Sequence, residues 1–109
     1  MDAPTPATIL RDVAAEVAIP KDGTLSRVLY KDAQVRLVAF AFDAEQELTD
    51  HTAAVAAIVE VVTGRILLGL DDEQVEVVPG SWVHMPANLR HSVLAVEPSV
   101  MLLTMLRGG

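Results

Sequence analysis

The feature that most constrains this chain is a series of short apolar segments, rich in Val, Ile and Leu, that begins at residue 25 and is interrupted by turn residues. The turns contain Gly, Pro and Asp, because Pro fixes φ and Gly accepts a positive φ. Short strands at this spacing are typical of an antiparallel sandwich or barrel. The predicted strands are residues 25–30, 35–42, 55–62, 65–70, 74–78, 81–85, 93–96 and 100–106.

The region before these strands is less clearly patterned. We predict an N-terminal extension over residues 1–22 and a single barrel domain over residues 23–107, with residues 1–8 extended or disordered. Residues 9–17 fit a helical stripe, but a turn followed by a short strand at 16–19 fits equally well. The sequence leaves these two alternatives open.

Composition and charge exclude several classes of function. The net charge of −7 repels phosphate backbones, so neither nucleic acid nor an anionic membrane is an expected partner. The longest uninterrupted apolar run, residues 53–59, is far shorter than the roughly 20 residues of a membrane-spanning helix. The chain has no cysteine, hence no disulfide or thiolate chemistry, and its N-terminus has no signal-peptide pattern. We therefore expect a cytoplasmic protein.

The apolar content is high for a chain of this length, since 51% of the residues are hydrophobic. The last predicted strand, residues 100–106, is almost entirely apolar, which is expected of a strand buried on both faces or at a subunit contact. We predict a homodimer on these grounds. Apolar strands that crowd both faces of a sheet would produce the same composition.

The three histidines, His51, His84 and His91, all fall in the strand-rich part of the chain. His51 and His91 each precede an apolar segment, so in a barrel they can converge on one interior point. A divalent metal takes imidazole nitrogens at about 2.0–2.1 Å and usually has three or four protein ligands. The histidines are therefore candidate metal ligands.

The segment that contains His91 resembles the second conserved motif of the cupin superfamily. Gly80, Pro86 and His91 match that motif in type and spacing, whereas Asn88 replaces its second glycine and Ala95 replaces its asparagine. Asn tolerates left-handed backbone conformations, so it is a reasonable substitute for glycine in a turn. The resemblance implies an all-β fold, the antiparallel double-stranded β-helix or jelly-roll barrel of cupins.

The first cupin motif is only partly present. His51 matches its first histidine and Gly64 its final glycine, but Ala53 and Ala57 replace the second histidine and the glutamate, and Glu45 replaces the opening glycine. The resemblance covers roughly residues 35–105. It keeps the architectural positions and loses half of the implied metal ligands.

Glu60 and His84 are the two candidates that could replace the missing metal ligands. Glu60 is three positions from 57, so strand alternation predicts that it points away from the site. His84 lies seven residues before His91, and a His51/His84/His91 triad would hold one divalent metal: zinc, nickel, iron or manganese. The alternative places His84 outside the barrel.

Alanines at ligand positions should leave empty volume inside the barrel, and barrels of this size can hold one small molecule. Trp82 fits either the lining of this pocket or a packing contact in the core or at a dimer interface. Arg27, Arg36 and Arg90 fit either an anionic substrate or surface ion pairs. The residues predicted to line the pocket are Ala53, Ala57, Val59, Trp82, Met85 and Met101.

Two functions follow. In the first, the chain is a small-molecule-binding cupin, with two or three histidines at the mouth of an apolar pocket and weak affinity for a divalent metal. Its ligand would be a small apolar or aromatic molecule or an organic acid. In the alternative, which the resemblance implies, it is a metal-dependent enzyme of dioxygenase, isomerase or decarboxylase type that uses His51, His91 and also His84. The sequence identifies neither a catalytic residue nor a substrate.

Overall fold

The structure, a computed structural model, describes residues 6–108. Predictions for residues 1–5 lie outside this range. The described residues form one short 3₁₀ helix, Val13–Glu16, and nine strands. The strands are β1 Thr24–Lys31, β2 Val35–Phe42, β3 Glu47–His51, β4 Ala57–Thr63, β5 Ile66–Leu70, β6 Glu73–Val77, β7 Val83–Met85, β8 His91–Ala95 and β9 Ser99–Leu106.

The strands form two antiparallel sheets, which confirms the prediction of an all-β antiparallel fold. The five-stranded sheet has the order β1-β2-β9-β4-β7 and the four-stranded sheet the order β3-β8-β5-β6. One apolar core joins them, with side chains such as Phe42, Val59 and Met101 from the first sheet and Ile66 and Leu68 from the second. The core therefore lies between the sheets.

Strand β4 shows how alternation divides side chains between the core and the outside. Ala57, Val59 and Val61 are buried in the core, whereas Ile58 and Glu60 between them are half-buried. Successive side chains of a strand point to opposite faces of the sheet. Glu60 therefore points away from the interior, as the sequence predicts.

Strand β9 explains the most apolar segment of the sequence. It lies in the middle of the five-stranded sheet, paired with β2 on one side and β4 on the other. Met101 belongs to the core between the sheets, while Val100 belongs to a second cluster with Val17, Ala39 and Ala41. Apolar contacts on both faces account for this strand within one chain, and the homodimer stays a prediction.

The N-terminal extension matches neither of the two predicted alternatives. A four-residue 3₁₀ helix replaces the longer helix, and residues 16–19 form no strand. Val17 is extended and buried against the sheet, which ends the helix after one turn. Arg27 donates a hydrogen bond from Nη1 to the carbonyl oxygen of Glu16 at 2.8 Å, and so satisfies one acceptor at the helix end.

One strand is absent from the sequence prediction. The predicted strands leave residues 43–54 outside any strand, but Glu47–His51 forms strand β3 at the edge of the four-stranded sheet. Four of its five side chains are exposed, so the segment carries no apolar alternation. His51 is consequently the last residue of one strand and lies opposite the first residue of another, His91.

Positive φ angles occur where the cupin motifs place glycines. Gly64 and Gly80 have φ angles of +85° and +98°. Asn88 and Glu45, which replace motif glycines, both have φ of +68°. The backbone therefore keeps the turn geometry where the glycine is gone, and the prediction for Asn88 is confirmed. Within residues 6–108, no helix is long and apolar enough to cross a membrane.

Gly64 is expected to be the less replaceable of the two glycines. A Cβ at this position would come within 2.7 Å of the Ser99 Cα and would overlap the carbonyl oxygen of Pro98, whereas a Cβ on Gly80 would meet nothing within 4 Å. We expect Gly64→Ala to lower the free energy of unfolding by about 3 kcal/mol or more. Gly80→Ala should cost only the left-handed backbone penalty of about 1–2 kcal/mol. Urea denaturation of both variants checks this, and equal losses would contradict it.

Candidate functional site

The two histidines that match the cupin motifs lie side by side. His51 at the end of β3 is the cross-strand partner of His91 at the start of β8. Their ring centroids are 4.1 Å apart and their planes meet at 62°. The ring of His91 is buried, with 7% of the residue exposed, while His51 faces solvent. We call these two residues the histidine pair.

Each ring of the histidine pair is oriented by a backbone carbonyl two residues earlier. Nδ1 of His51 donates to the carbonyl oxygen of Thr49 at 2.8 Å, and Nδ1 of His91 donates to that of Leu89 at 2.9 Å. A carbonyl oxygen only accepts, so the proton of a neutral ring must sit on Nδ1. Nε2 then carries a lone pair in both rings. The pair thus offers two acceptor nitrogens, or two metal-ligating nitrogens.

The loops around the pair are held by backbone hydrogen bonds and by one arginine. The N–H of Asn88 donates to the carbonyl of Ala53 at 2.7 Å, which joins the loop before β4 to the loop before β8. Arg90, next to His91, forms exposed ion pairs with Asp50, next to His51, and with two aspartates between β5 and β6. Its partners are Asp50 at 3.9 Å, Asp71 at 3.2 Å and Asp72 at 2.9 Å. Arg90 is therefore committed to acids of the chain itself.

A pocket of about 260 Å³ opens beside the histidine pair. We call it the barrel pocket. Its polar lining residues are the two histidines and Thr52, and the remainder are apolar. The lining residues are His51, Thr52, Ala53, Val55, Ala57, Met85, Pro86, Leu89, His91, Leu103 and Met105.

Most of the predicted pocket residues lie at the barrel pocket or just beneath it. Ala53, Ala57 and Met85 line the pocket itself. Val59 and Met101 line a void of about 20 Å³ that shares Met85 and both histidines with the pocket. The small side chains at positions 53 and 57 are thus on the pocket wall, where a longer side chain would occupy its volume.

His84 and Trp82 do not belong to this site, so their predicted roles as a metal ligand and a pocket residue are wrong. His84 pairs with Ile58 on the outer side of the five-stranded sheet, because its neighbour Met85 points into the core. The ring of Trp82 stacks on that of His84, with centroids 6.4 Å apart. Trp82 is 61% exposed. The three-histidine site is therefore not formed.

The side chains at the histidine pair do not fit a resident metal of the cupin type. In the described part of the chain, no three His, Cys, Asp or Glu side chains come together as a metal site would need. The motif positions that would supply a second histidine and a carboxylate hold Ala53 and Ala57, whose methyl groups line the pocket. Zinc, nickel, iron or manganese would thus have two protein nitrogens, where three or four ligands are usual.

Several residues line the barrel pocket without being predicted from the sequence, among them Thr52, Leu89, Leu103 and Met105. Met105 lies opposite Ala57 in the β4–β9 ladder and therefore shares its face. This relation depends on the register of two strands that are far apart in the chain. Only the pairing itself reveals it.

A second, larger depression lies away from the histidines. It has a volume of about 530 Å³ and lies where the N-terminal extension meets the five-stranded sheet, next to Leu10, Val13, Leu37 and Thr104. Its one titratable lining group, Tyr30, donates a hydrogen bond to Asp32, and that bond is the main reason why the pKa of Tyr30 is raised. Among the described residues no histidine lines this depression, in contrast to the barrel pocket.

Comparison with known proteins places the fold among cupins. A protein of unknown function from Streptococcus pyogenes is 30% identical, with a TM-score of 0.83 over 99% of this chain and 94% of that one. A cupin superfamily protein from Desulfitobacterium hafniense is 18% identical, with a TM-score of 0.82 over 94% and 93% of the two chains. An RmlC-like cupin from Desulfovibrio desulfuricans is 20% identical, with a TM-score of 0.77 over 98% and 100%.

These structures confirm the predicted double-stranded β-helix. No protein-family model matches the sequence, and no curated protein matches it. The cupin fold is therefore recognised through structure, and the site must be interpreted from its own residues.

The proton positions in the histidine pair can be measured directly. In long-range ¹H–¹⁵N spectra of the neutral rings, we expect the Nδ1–H tautomer for both His51 and His91, because a carbonyl accepts from each Nδ1. His84 is exposed on the outer face and serves as the internal control, with a mixture of tautomers. A dominant Nε2–H tautomer in His51 or His91 would contradict the geometry.

Proposed function

We propose that this chain, which has the cupin fold, binds a small, mostly apolar organic molecule in its barrel through hydrogen bonds to His51 and His91. The observation that supports this most strongly is the apolar barrel pocket of about 260 Å³, which is lined by two histidines whose Nδ1 atoms are bonded to carbonyls, so that Nε2 is the acceptor in each neutral ring. Ligand pockets typically combine such an apolar lining with a few well-placed polar groups.

The volume of the barrel pocket limits the size of the ligand. Pockets for drug-sized ligands hold about 300–1,000 Å³, so this one suits a smaller molecule. Its volume corresponds to roughly nine water molecules of bulk liquid, at about 30 Å³ each. A ligand with on the order of ten non-hydrogen atoms would fill it.

The histidine pair determines which polar group the ligand should carry. In the neutral rings both Nε2 atoms accept hydrogen bonds, so the complementary group is a hydroxyl or an N–H. Apolar side chains such as Ala57, Met85 and Leu103 suit a hydrocarbon body, whose burial contributes about 25 cal/mol per Å² of apolar surface. The ligand that fits both demands is a small molecule with a hydrogen-bond donor at one end.

The metal-dependent alternative has less support. Two imidazole nitrogens bind a divalent ion weakly unless water or the ligand completes the coordination shell. His84, the third ligand that this alternative needs, points to the other side of the sheet. We therefore propose at most weak metal binding at the histidine pair, and we assign no reaction to it.

Matched alcohols and ethers test the proposed binding mode. In ¹H–¹⁵N titrations, 3-methylbutan-1-ol and phenol should shift the amide signals of Ala57, Met85 and His91. Their methyl ethers should bind about two- to tenfold more weakly, because they cannot donate to Nε2.

A variant that fills the barrel pocket provides the control for location. Ala57→Phe should abolish the shifts, because the larger side chain occupies the pocket, whereas Ile58→Phe adds bulk on the outer face and should preserve them. Binding that survives Ala57→Phe, or ethers that bind as tightly as the alcohols, would overturn the proposed function.

A further inference from the structure

We propose that the ligand of the barrel pocket also carries a carboxylate and that Arg36 is the residue that binds it. This inference rests on the proposed function and specifies its ligand class: a small organic acid with a hydroxyl or N–H donor at a second position. The hydroxyl or N–H faces the histidine pair, and the carboxylate faces Arg36 across the mouth of the pocket.

Strand register places Arg36 beside the pocket wall. Arg36 lies opposite Met105 in the β2–β9 ladder, Met105 lies opposite Ala57 in the β9–β4 ladder, and Ala57 lies opposite Met85 in the β4–β7 ladder. Directly opposed residues share a face of the sheet, with Cβ atoms about 4.5–5.5 Å apart. Met105, Ala57 and Met85 all line the barrel pocket. Arg36 is therefore the next residue of a row whose other three members line the pocket.

The guanidinium of Arg36 is incompletely satisfied. In the described part of the chain, its Nε is the one buried side-chain nitrogen or oxygen without a hydrogen-bond partner. The N–H groups of a guanidinium only donate, so the buried Nε–H needs an acceptor. Leaving a charged donor unpaired away from water is costly unless a partner arrives. A carboxylate with two oxygens is the partner that best matches a guanidinium.

Two arginines of the described residues have acid partners, and Arg36 is not one of them. Arg65 pairs with Glu76 at 3.5 Å, and Arg90 pairs with three aspartates. The residue opposite Arg36 on the edge strand β1 is Lys31, a second cation on the same face. What sets Arg36 apart from the other arginines without an acid partner is its Nε, which is buried and has no hydrogen-bond partner among the described residues.

The nearest acid in the sequence is already engaged. Asp32 accepts hydrogen bonds from the hydroxyl of Tyr30 at 2.6 Å and from the backbone N–H groups of Gln34 and Val35 at 2.8 and 2.9 Å. These bonds, first of all the one from Tyr30, hold the pKa of Asp32 below its usual value. Asp32 therefore serves the turn between β1 and β2, and its carboxylate is not directed to Arg36.

The reach of the arginine side chain is compatible with this role. Neighbouring strands are about 4.8 Å apart, so the guanidinium of Arg36 needs to extend across one strand, over Met105, to meet a group in the pocket. The histidine pair belongs to the four-stranded sheet and Arg36 to the five-stranded sheet. A ligand that contacts both would bridge the two sheets with its apolar body between them.

Acids and their amides, which have nearly the same shape, provide the test. The probes are 2-hydroxy-4-methylpentanoate and 4-hydroxybenzoate, each compared with its primary amide by ¹H–¹⁵N titration. We expect each acid to bind the wild-type chain at least about tenfold more tightly than its amide, because a charge-assisted pair replaces a neutral contact. Arg36→Met should remove this preference and change the amide affinity less than about twofold.

Control variants separate a specific effect from a general effect of charge. Arg65→Met removes an arginine that is paired on the surface, so the preference for the acid should persist. Arg36→Lys keeps the charge but loses the two-pronged geometry, and should retain only part of the preference. If Arg36→Met does not fold, the Nε–H signal of Arg36 can be followed in ¹H–¹⁵N titrations of the wild-type chain. That signal should shift with the acids and not with the amides.

The outcomes distinguish this inference from the proposed function. Amides and acids that bind the pocket equally, or an acid preference that survives Arg36→Met, would overturn the role of Arg36 and leave the proposed function intact. No shift of Ala57, Met85 or His91 signals with any probe, including the alcohols, would overturn the proposed function and this inference together.

Discussion

The structure depends on the strict alternation of side chains across two antiparallel sheets that share one core. In β4, alternation puts Ala57 on the pocket wall and Glu60 on the outside. In β7, it puts Met85 inside and His84 outside. A shift of one residue in either strand would reverse these positions. The same rule brings Arg36 into the row that ends at the pocket, so the composition of the site follows from register more than from any local motif.

In this chain the backbone keeps the turn geometry of the cupin motifs, whereas two of their ligand side chains are absent. Glu45 and Asn88 adopt the positive φ of the glycines they replace, and His51 and His91 meet at the same cross-strand position with Nε2 free. The other two ligand positions of the motif hold Ala53 and Ala57, whose methyl groups line apolar volume instead of coordinating an ion. A barrel that retains its turns and loses its carboxylate ligand is better suited to an organic molecule than to a hard cation.

The sequence predicts most of the fold and about half of the site. Strand β2 is predicted at its observed bounds because its apolar residues and flanking turns are unambiguous. Strand β3 is missed because it is a polar edge strand. The direction of His84 depends on which residue of a three-residue strand faces the core, and the place of Met105 depends on pairing between distant segments. The periodicity of apolar residues along the chain predicts neither the direction of His84 nor the place of Met105.

We propose that the alanines at positions 53 and 57 leave a ligand pocket where the cupin motifs place metal ligands. Elemental analysis of protein purified without an affinity tag tests it most directly, with an Ala53→His/Ala57→Glu variant as the positive control. We expect far less than one zinc, nickel, iron or manganese ion per wild-type chain, and tight binding of added metal by the variant. Near-stoichiometric metal in the wild-type chain that disappears in His51→Ala or His91→Ala would contradict the account.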